Sequence, residues 1–292
     1  MYELIQVSAR DFYIDCPAKI GLVKTGESEV VLIDSGNDKD AGKRVYRLLQ
    51  ANEWTLKAIF NTHAHADHIG GNRFLQEKTG CKIYAKGLEC VYANEPLLEP
   101  IGLYGGRPFK ELKNKFLMAQ PSAVLPLTDD VLPAGMKTLA LPGHSPDMIG
   151  FATADGTAYI ADCLSSAETL AKYGVGYLWD PELSLQTLEY VSRLEASCFV
   201  PSHAPAAADV GELARLNIEA IAGVKEKILA LCSEPVAFEE MLKAIFDAYS
   251  MQASIQQYAL AGSTIRSYLA SMYEAGSLTI RFEDNRMLWE RA

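Results

Sequence analysis

The chain has 292 residues, 49% of them hydrophobic and 22% charged, with 27 basic against 37 acidic side chains. That composition excludes a disordered chain, and the net charge of -10 argues against nonspecific nucleic-acid binding as the main activity. The length suits one large domain, or a domain with a small appendage.

The opening segment MYELIQVSARDFYI has neither the basic start nor the apolar core of a signal peptide, and no apolar run is long enough to span a membrane. Six cysteines (Cys16, Cys81, Cys90, Cys163, Cys198 and Cys232) are scattered without a CxxC pair. The expected setting is a reducing cytoplasm, with no membrane association.

Short runs rich in Val, Ile, Leu, Phe and Tyr predict strands at 29–34, 57–62, 82–85, 137–143, 157–162 and 197–203. Helix patterns lie between them. DKDAGKRVYRLLQAN has apolar residues at helical spacing, and GGNRFLQEKTG ends on a C-cap glycine, Gly80. DPELSLQTLEYVSRLEA opens with Asp180 as N-cap and Pro181 in the first turn. The alternation predicts an α/β or α+β class with buried sheets. Residues 91–126 break the rhythm with Pro, Gly and a basic cluster, and are expected to form a lid or binding loop. A long helix is expected from about 211 to 232, then three further helices and two strands. The expected boundary separates a catalytic domain, 1–232, from a C-terminal module, 233–292.

The histidines stand at strand ends. FNTHAHADHIGGN places His63, His65 and His68 with Asp67 in one loop after the 57–62 strand. His144 follows 137–143, His203 ends 197–203, and Asp162 and Asp34 end two further strands. Taken singly, Asp34 and Asp162 read as turn or cap residues, and His144 and His203 as ordinary loop histidines. Three imidazoles in six residues serve no packing purpose, however, and neutral imidazole is the commonest protein ligand for metals. Side-by-side strands would bring all these ends to one edge.

This HxHxDH signature, followed by a distant His, a strand-end Asp and a final His, resembles the metallo-β-lactamase superfamily over roughly residues 1–232. The resemblance implies an αββα sandwich of two facing mixed sheets. It implies one metal on His63, His65 and His144 and a second on Asp67, His68 and His203, with Asp162 bridging and Asp34 bracing the ligand loops. Two divalent ions are implied, zinc by default, with iron and manganese chemically admissible. The implied reaction is hydrolysis by a metal-bridging hydroxide, with Asp67 and Asp162 as the catalytic carboxylates.

Departures narrow the branch. Zinc β-lactamases generally lack the bridging Asp, flavin-partnered di-iron members carry Glu where this chain has His65, and no extra nuclease motif is present. The chain is most similar to the glyoxalase II-like hydrolases, although the basic residues that would hold glutathione do not align. The expected substrate is a small ester, thioester or lactone, anionic if Arg107 and Lys110 of the insert reach it, with Tyr173 and Tyr177 as candidate walls. A mononuclear iron sulfur dioxygenase and a phosphodiesterase or ribonuclease are the alternative enzymes.

Residues 235–292 resemble a winged-helix module, which makes a DNA-binding regulator the rival from another class. Over 211–292 there are 8 Lys/Arg against 11 Asp/Glu, and the candidate recognition helix offers only Arg266. That charge disfavours nucleic acid. An interaction or homodimerisation module is the preferred reading of the tail.

Overall fold

The computed structural model describes residues 2–292. Seven strands form the first sheet: β1 (Glu3–Gln6), β2 (Asp11–Asp15), β3 (Ile20–Lys24), β4 (Glu29–Ile33), β5 (Thr55–Phe60), β6 (Lys82–Ala85) and β7 (Val124–Pro126), in that spatial order. β1 to β4 are an antiparallel meander, and β4 to β7 run parallel. Helices α1 (Lys39–Ala51), α2 (Ala66–Ile69) and α3 (Asn72–Thr79) make the first crossovers. Asp38 caps α1 by accepting from the backbone N–H groups of Asp40 and Ala41, and Gly80 closes α3 in the left-handed conformation.

The insert is ordered. It begins in α4 (Gly87–Asn94), continues through α5 (Leu98–Tyr104) and a single 3-10 turn at Lys110–Leu112, and ends as β7. The second sheet has the order β11-β10-β9-β8, from β8 (Lys137–Ala140), β9 (Ile149–Ala152), β10 (Thr157–Ser165) and β11 (Cys198–His203). Only its β10–β11 pair is parallel, joined through α6 (Ala167–Tyr173) and α7 (Pro181–Val191). Asp180 and Pro181 start α7 as the sequence predicts.

Period-two alternation builds the layers. Val31, Ile33 and Phe60 face Ile149, Phe151 and Val200 across the sandwich, and the Phe60 and Phe151 rings lie 5.9 Å apart. The neighbouring residues Val30, Leu32 and Ile59 turn outward onto Val45 and Leu49 of α1 and Leu75 of α3. The second sheet's outer face, with Ile160 and Phe199, packs on α7 and on α8 (Gly211–Leu231). The class is therefore the expected αββα sandwich.

The tail departs from expectation. It holds β12 (Val236–Ala237), two helices, α9 (Phe238–Ala248) and α10 (Ile255–Glu274), and the hairpin β13 (Leu278–Glu283) and β14 (Arg286–Arg291). Two helices stand where the sequence predicts three, because α10 runs unbroken through Ala261 and Gly262, both buried, and tertiary packing overrides glycine's low helix propensity. Ile245, Ile265 and Leu269 share one continuous apolar core with α7 and α8, across the boundary expected at 232/233. No described helix is long and apolar enough to cross a membrane.

Candidate metal centre

The structure brings the seven expected ligand-type side chains to one edge of the sandwich. His63, His65, Asp67 and His68 follow β5, His144 follows β8, Asp162 lies in β10, and His203 is the last residue of β11. They fall into two groups, His63 with His65 and His144, and Asp67 with His68, Asp162 and His203. Within each group the ligand atoms lie within 4.8 Å of one another. Asp162 reaches both. Its Oδ2 is 3.6 Å from His144 Nε2 and 4.0 Å from His63 Nε2, yet 3.1 Å from His203 Nε2.

Two local features make this convergence possible. The HIGGN turn lets the loop after β5 press against the chain at 35–38, where a Cβ on Gly71 would meet the Ser35 carbonyl oxygen at 2.3 Å. Before His144, Gly143 has φ 127 and lies so close to Ser184 that a side chain there would strike its backbone N at 2.3 Å.

Each imidazole is oriented by what its second nitrogen meets. Asp34, buried and at φ 65, accepts from the Thr62 backbone N–H (2.8 Å), the Thr62 hydroxyl (2.7 Å) and His68 Nδ1 (2.8 Å). The Thr62 hydroxyl has spent its proton on Asp34, so it accepts from His63 Nδ1 at 2.9 Å. His144 Nδ1 donates to the Tyr177 carbonyl (3.1 Å) and His203 Nδ1 to the Pro17 carbonyl (2.9 Å). All four therefore turn Nε2 toward the site, where that of His144 lies 2.9 Å from His65 Nδ1. Asp34 thus holds the HxHxDH loop at both of its ends, through Thr62 and His68.

The Nε2 atoms of His63 and His68 and Oδ1 of Asp162 are buried without a hydrogen-bond partner. Such orphaned acceptors cost about 1–3 kcal/mol each. His68 Nε2 faces Asp162 Oδ1 at 3.2 Å, acceptor against acceptor, which is stable only with a cation or a proton between them. The donor set fits divalent metal ions, with imidazole and carboxylate in tetrahedral-ligand numbers.

The electrostatics carry the same signature. Burial pushes His63 well below the ordinary imidazole range, His65 down to about 4 and His144 down to about 3. Burial also opposes charge on His68, but Asp162, Asp67 and Asp34 outweigh it and hold the ring well above its usual value. Asp162 raises His203 to about 10. Burial would raise Asp67 and Asp162, yet the facing imidazoles hold both below the carboxylate range. Two buried carboxylates thus demand positive charge from whatever occupies the site.

The candidate substrate contacts divide. Tyr177 lines the centre, its ring 5.3 Å from that of His65, and Tyr173 stands at the cavity mouth, 45% exposed. Arg107 and Lys110 are exposed and are not part of the cavity lining; Lys115 of the same basic run is, and it pairs with Asp38 at 2.8 Å. Strand alternation turns Cys163 toward the core, and it does pack there; it also lines the cavity next to Asp162, where β10 bulges at Ala161 (φ 50) and its pairing with β11 shifts register.

Sequence reasoning missed two carboxylates. Glu89 of α4 is buried; it accepts from the Ala64 N–H (2.9 Å), the Asp147 N–H (3.1 Å) and the Ser145 hydroxyl, tying the HxHxDH loop to the loop of His144. Glu99 of α5 lies 3.8 Å from His65 Nε2, and burial with the charge of Asp67 raises it to about 7. Nothing in their local sequence marks either one, beyond a carboxylate in an apolar run.

Two solved structures align over nearly the whole chain. One is a beta-lactamase domain protein from Burkholderia ambifaria, with TM-score 0.74 and 15% identity, covering 99% of this chain and 94% of that one. The other is a metallo-beta-lactamase family protein from Thermus thermophilus, with TM-score 0.72 and 20% identity, covering 99% and 97%. At these identities they establish the fold. A hydroxyacylglutathione hydrolase of Vibrio campbellii is 29% identical over 177 residues, which is 60% of this chain and 56% of that protein. The chain spans about half the length of the curated relatives it matches. The sequence profile of the metallo-beta-lactamase superfamily matches residues 13–203, a span that holds all seven clustered ligand-type residues. The chain belongs to the metallo-β-lactamase superfamily.

Proposed function

We propose that this chain is a hydrolase dependent on two divalent metal ions, zinc by default, that cleaves an ester, thioester or lactone of a small substrate. The observation that carries the reading is the position of Asp162 between two histidine groups, each presenting unpartnered lone pairs. His63, His65 and His144 would hold one ion, Asp67, His68 and His203 the other, and Asp162 would touch both. When bound, such ions acidify water and polarise a carbonyl.

Hydrolysis adds a water oxygen to the carbonyl carbon, breaks the C–S or C–O bond, and delivers a proton to the leaving group. Asp67 and Asp162 face the space between the two groups, where they orient that water, and Asp67, 37% exposed in its side chain, takes the proton the water gives up and passes it to the leaving sulfur or oxygen. No serine or cysteine nucleophile is required. Cys163 is a poor candidate for one, since burial and the adjacent Asp162 push its thiol far above the ordinary range. The relative in Vibrio campbellii is named for hydrolysis of hydroxyacylglutathione, which supports an acyl substrate.

A regulator that binds DNA is not favoured. Arg266, the lone cation of α10, stacks on Phe238 with its guanidinium 3.9 Å from the ring centroid. Metal analysis after reconstitution should give two ions per chain, with turnover of acyl thioesters or lactones ahead of phosphodiesters and β-lactams. Saturation at one ion would sink the binuclear reading, and one iron with oxygen consumption would point to a dioxygenase.

A further inference from the structure

The metal centre is only one end of a cavity of about 800 Å³, large for a site whose chemistry needs a water and a carbonyl. From His65, Asp162 and His203 the cavity runs between α6, α8 and α10. That arm is walled by Leu170, Val175, Leu188, Ile221, Val224 and Tyr268. Leu188, Val224 and Tyr268 are almost wholly buried and belong to the apolar core shared by the second sheet and the tail.

Two of the polar side chains that reach the arm, Asn217 and Ser184, are already engaged. Asn217 donates to the Ser165 and Leu213 carbonyls and accepts from the Ser165 N–H, all within 2.9 Å. Ser184 donates to the Asp180 carbonyl at 2.9 Å. Charged lining residues (Lys115, Glu168 and Lys172) are exposed and stand at the mouth, beside Phe116 and Tyr173. A polar peptide group placed in the arm would lose its hydration and find little in exchange beyond the Tyr268 hydroxyl.

Resting on the hydrolase reading, we propose that the arm is the binding site for an unbranched aliphatic acyl chain, whose carbonyl it presents to the metal centre. The preferred substrate is then an acyl ester or thioester of medium chain length. The tail is what makes this selectivity: Leu260, Ala261 and Tyr268 of α10 close the arm that the sandwich alone leaves open. The same helix meets the insert, where Ala259 and Leu260 pack with Leu103, Leu112 and Leu117.

The test uses the full chain, zinc-loaded, with N-acetylcysteamine thioesters from acetyl to decanoyl. The kcat/KM should rise about twofold to fourfold per methylene until the arm is full, as burial of each CH₂ permits. Val224→Trp and Ala261→Phe narrow the arm and should cut kcat/KM for octanoyl at least tenfold more than for acetyl. Ile221→Ala widens it and should move the optimum to longer chains, which guards against a variant that fails to fold. Calorimetric binding of octanoate against acetate, repeated on Val224→Trp, gives a readout independent of turnover. Turnover with no dependence on chain length would overturn the acyl arm and leave the hydrolase reading standing. Chain-length dependence unchanged by Val224→Trp and Ala261→Phe would also overturn it. Octanoate binding that Val224→Trp abolishes, without hydrolysis of any thioester, would support the arm and sink the hydrolase reading.

Discussion

The two ends of the cavity are built by opposite means. At the metal end, short loops deliver polar side chains, and hydrogen bonds to groups such as Asp34, Thr62 and the Pro17 carbonyl fix each one. At the apolar end, α8, α10 and the turn after α6, distant in sequence, meet mainly by packing, through Val175, Ile221, Val224 and Tyr268. A hydrogen-bonded site fails sharply when one acceptor is lost, because its partners are left unpaired in a buried place. A packed arm changes by degrees, because each methyl group contributes a small increment. Substitutions at the metal end should therefore act on reaction rate and metal content, whereas substitutions in the arm should act on choice of substrate.

The largest break in that comparison is Asp162→Asn. It keeps the shape of β10 and removes the charge that faces both histidine groups. Turnover should fall by at least about 10²–10³-fold, the scale on which one charge-stabilising group acts, while the circular dichroism spectrum is unchanged. Near-normal kcat in a folded, metal-loaded Asp162→Asn protein would remove Asp162 from the mechanism.

Next in size is Asp34, which touches no substrate. Asp34→Ala strands the Thr62 N–H and hydroxyl and leaves His68 free to rotate, so metal affinity should drop about 10–100-fold in a chelator competition. Asp34→Asn tolerates the positive φ and separates backbone strain from the lost charge. If Asn restores wild-type affinity, orientation alone explains the residue. Glu89→Ala should be milder on metal and heavier on stability, about 1–3 kcal/mol in denaturant unfolding, since it frees the Ala64 and Asp147 N–H groups inside the fold. An unchanged midpoint would show that the two loops are held by something else.

How far the sequence could be read follows the same division. The HxHxDH loop is legible because its residues are adjacent and their side chains have no other use, and Asp34 is legible because it ends a strand in a recognisable place. Glu89 and Glu99 are not, because each is a single carboxylate whose partners lie far along the chain, 25 positions in the Ala64–Glu89 case. That Cys163 touches the cavity as well as the core is not legible either, because alternation presumes an unbroken strand and β10 bulges at Ala161. The third tail helix is absent because α10 continues through the buried Ala261 and Gly262, held by tertiary packing that no local pattern reveals. The apolar arm has no sequence signature at all. Its residues look like ordinary helix-core positions until the helices are set side by side.

The smallest effect sharpens the comparison at the mouth, where the two ends meet solvent. The basic run of the insert reads in sequence as four equivalent cations, Arg107, Lys110, Lys113 and Lys115, but only Lys115 lines the cavity. Its ammonium is exposed and shares Asp38, so any attraction for an anionic substrate is screened. Lys115→Ala should raise KM for an anionic thioester by only about twofold to fivefold, with kcat and metal content unchanged. A neutral thioester of equal chain length should respond less, and the difference should shrink as salt is added. Arg107→Ala and Lys110→Ala, pointing away, should change neither KM by as much as twofold. Should Arg107→Ala prove the more damaging of the three, the insert must rearrange over the bound substrate, and the mouth would have to be counted with the mobile parts of the site.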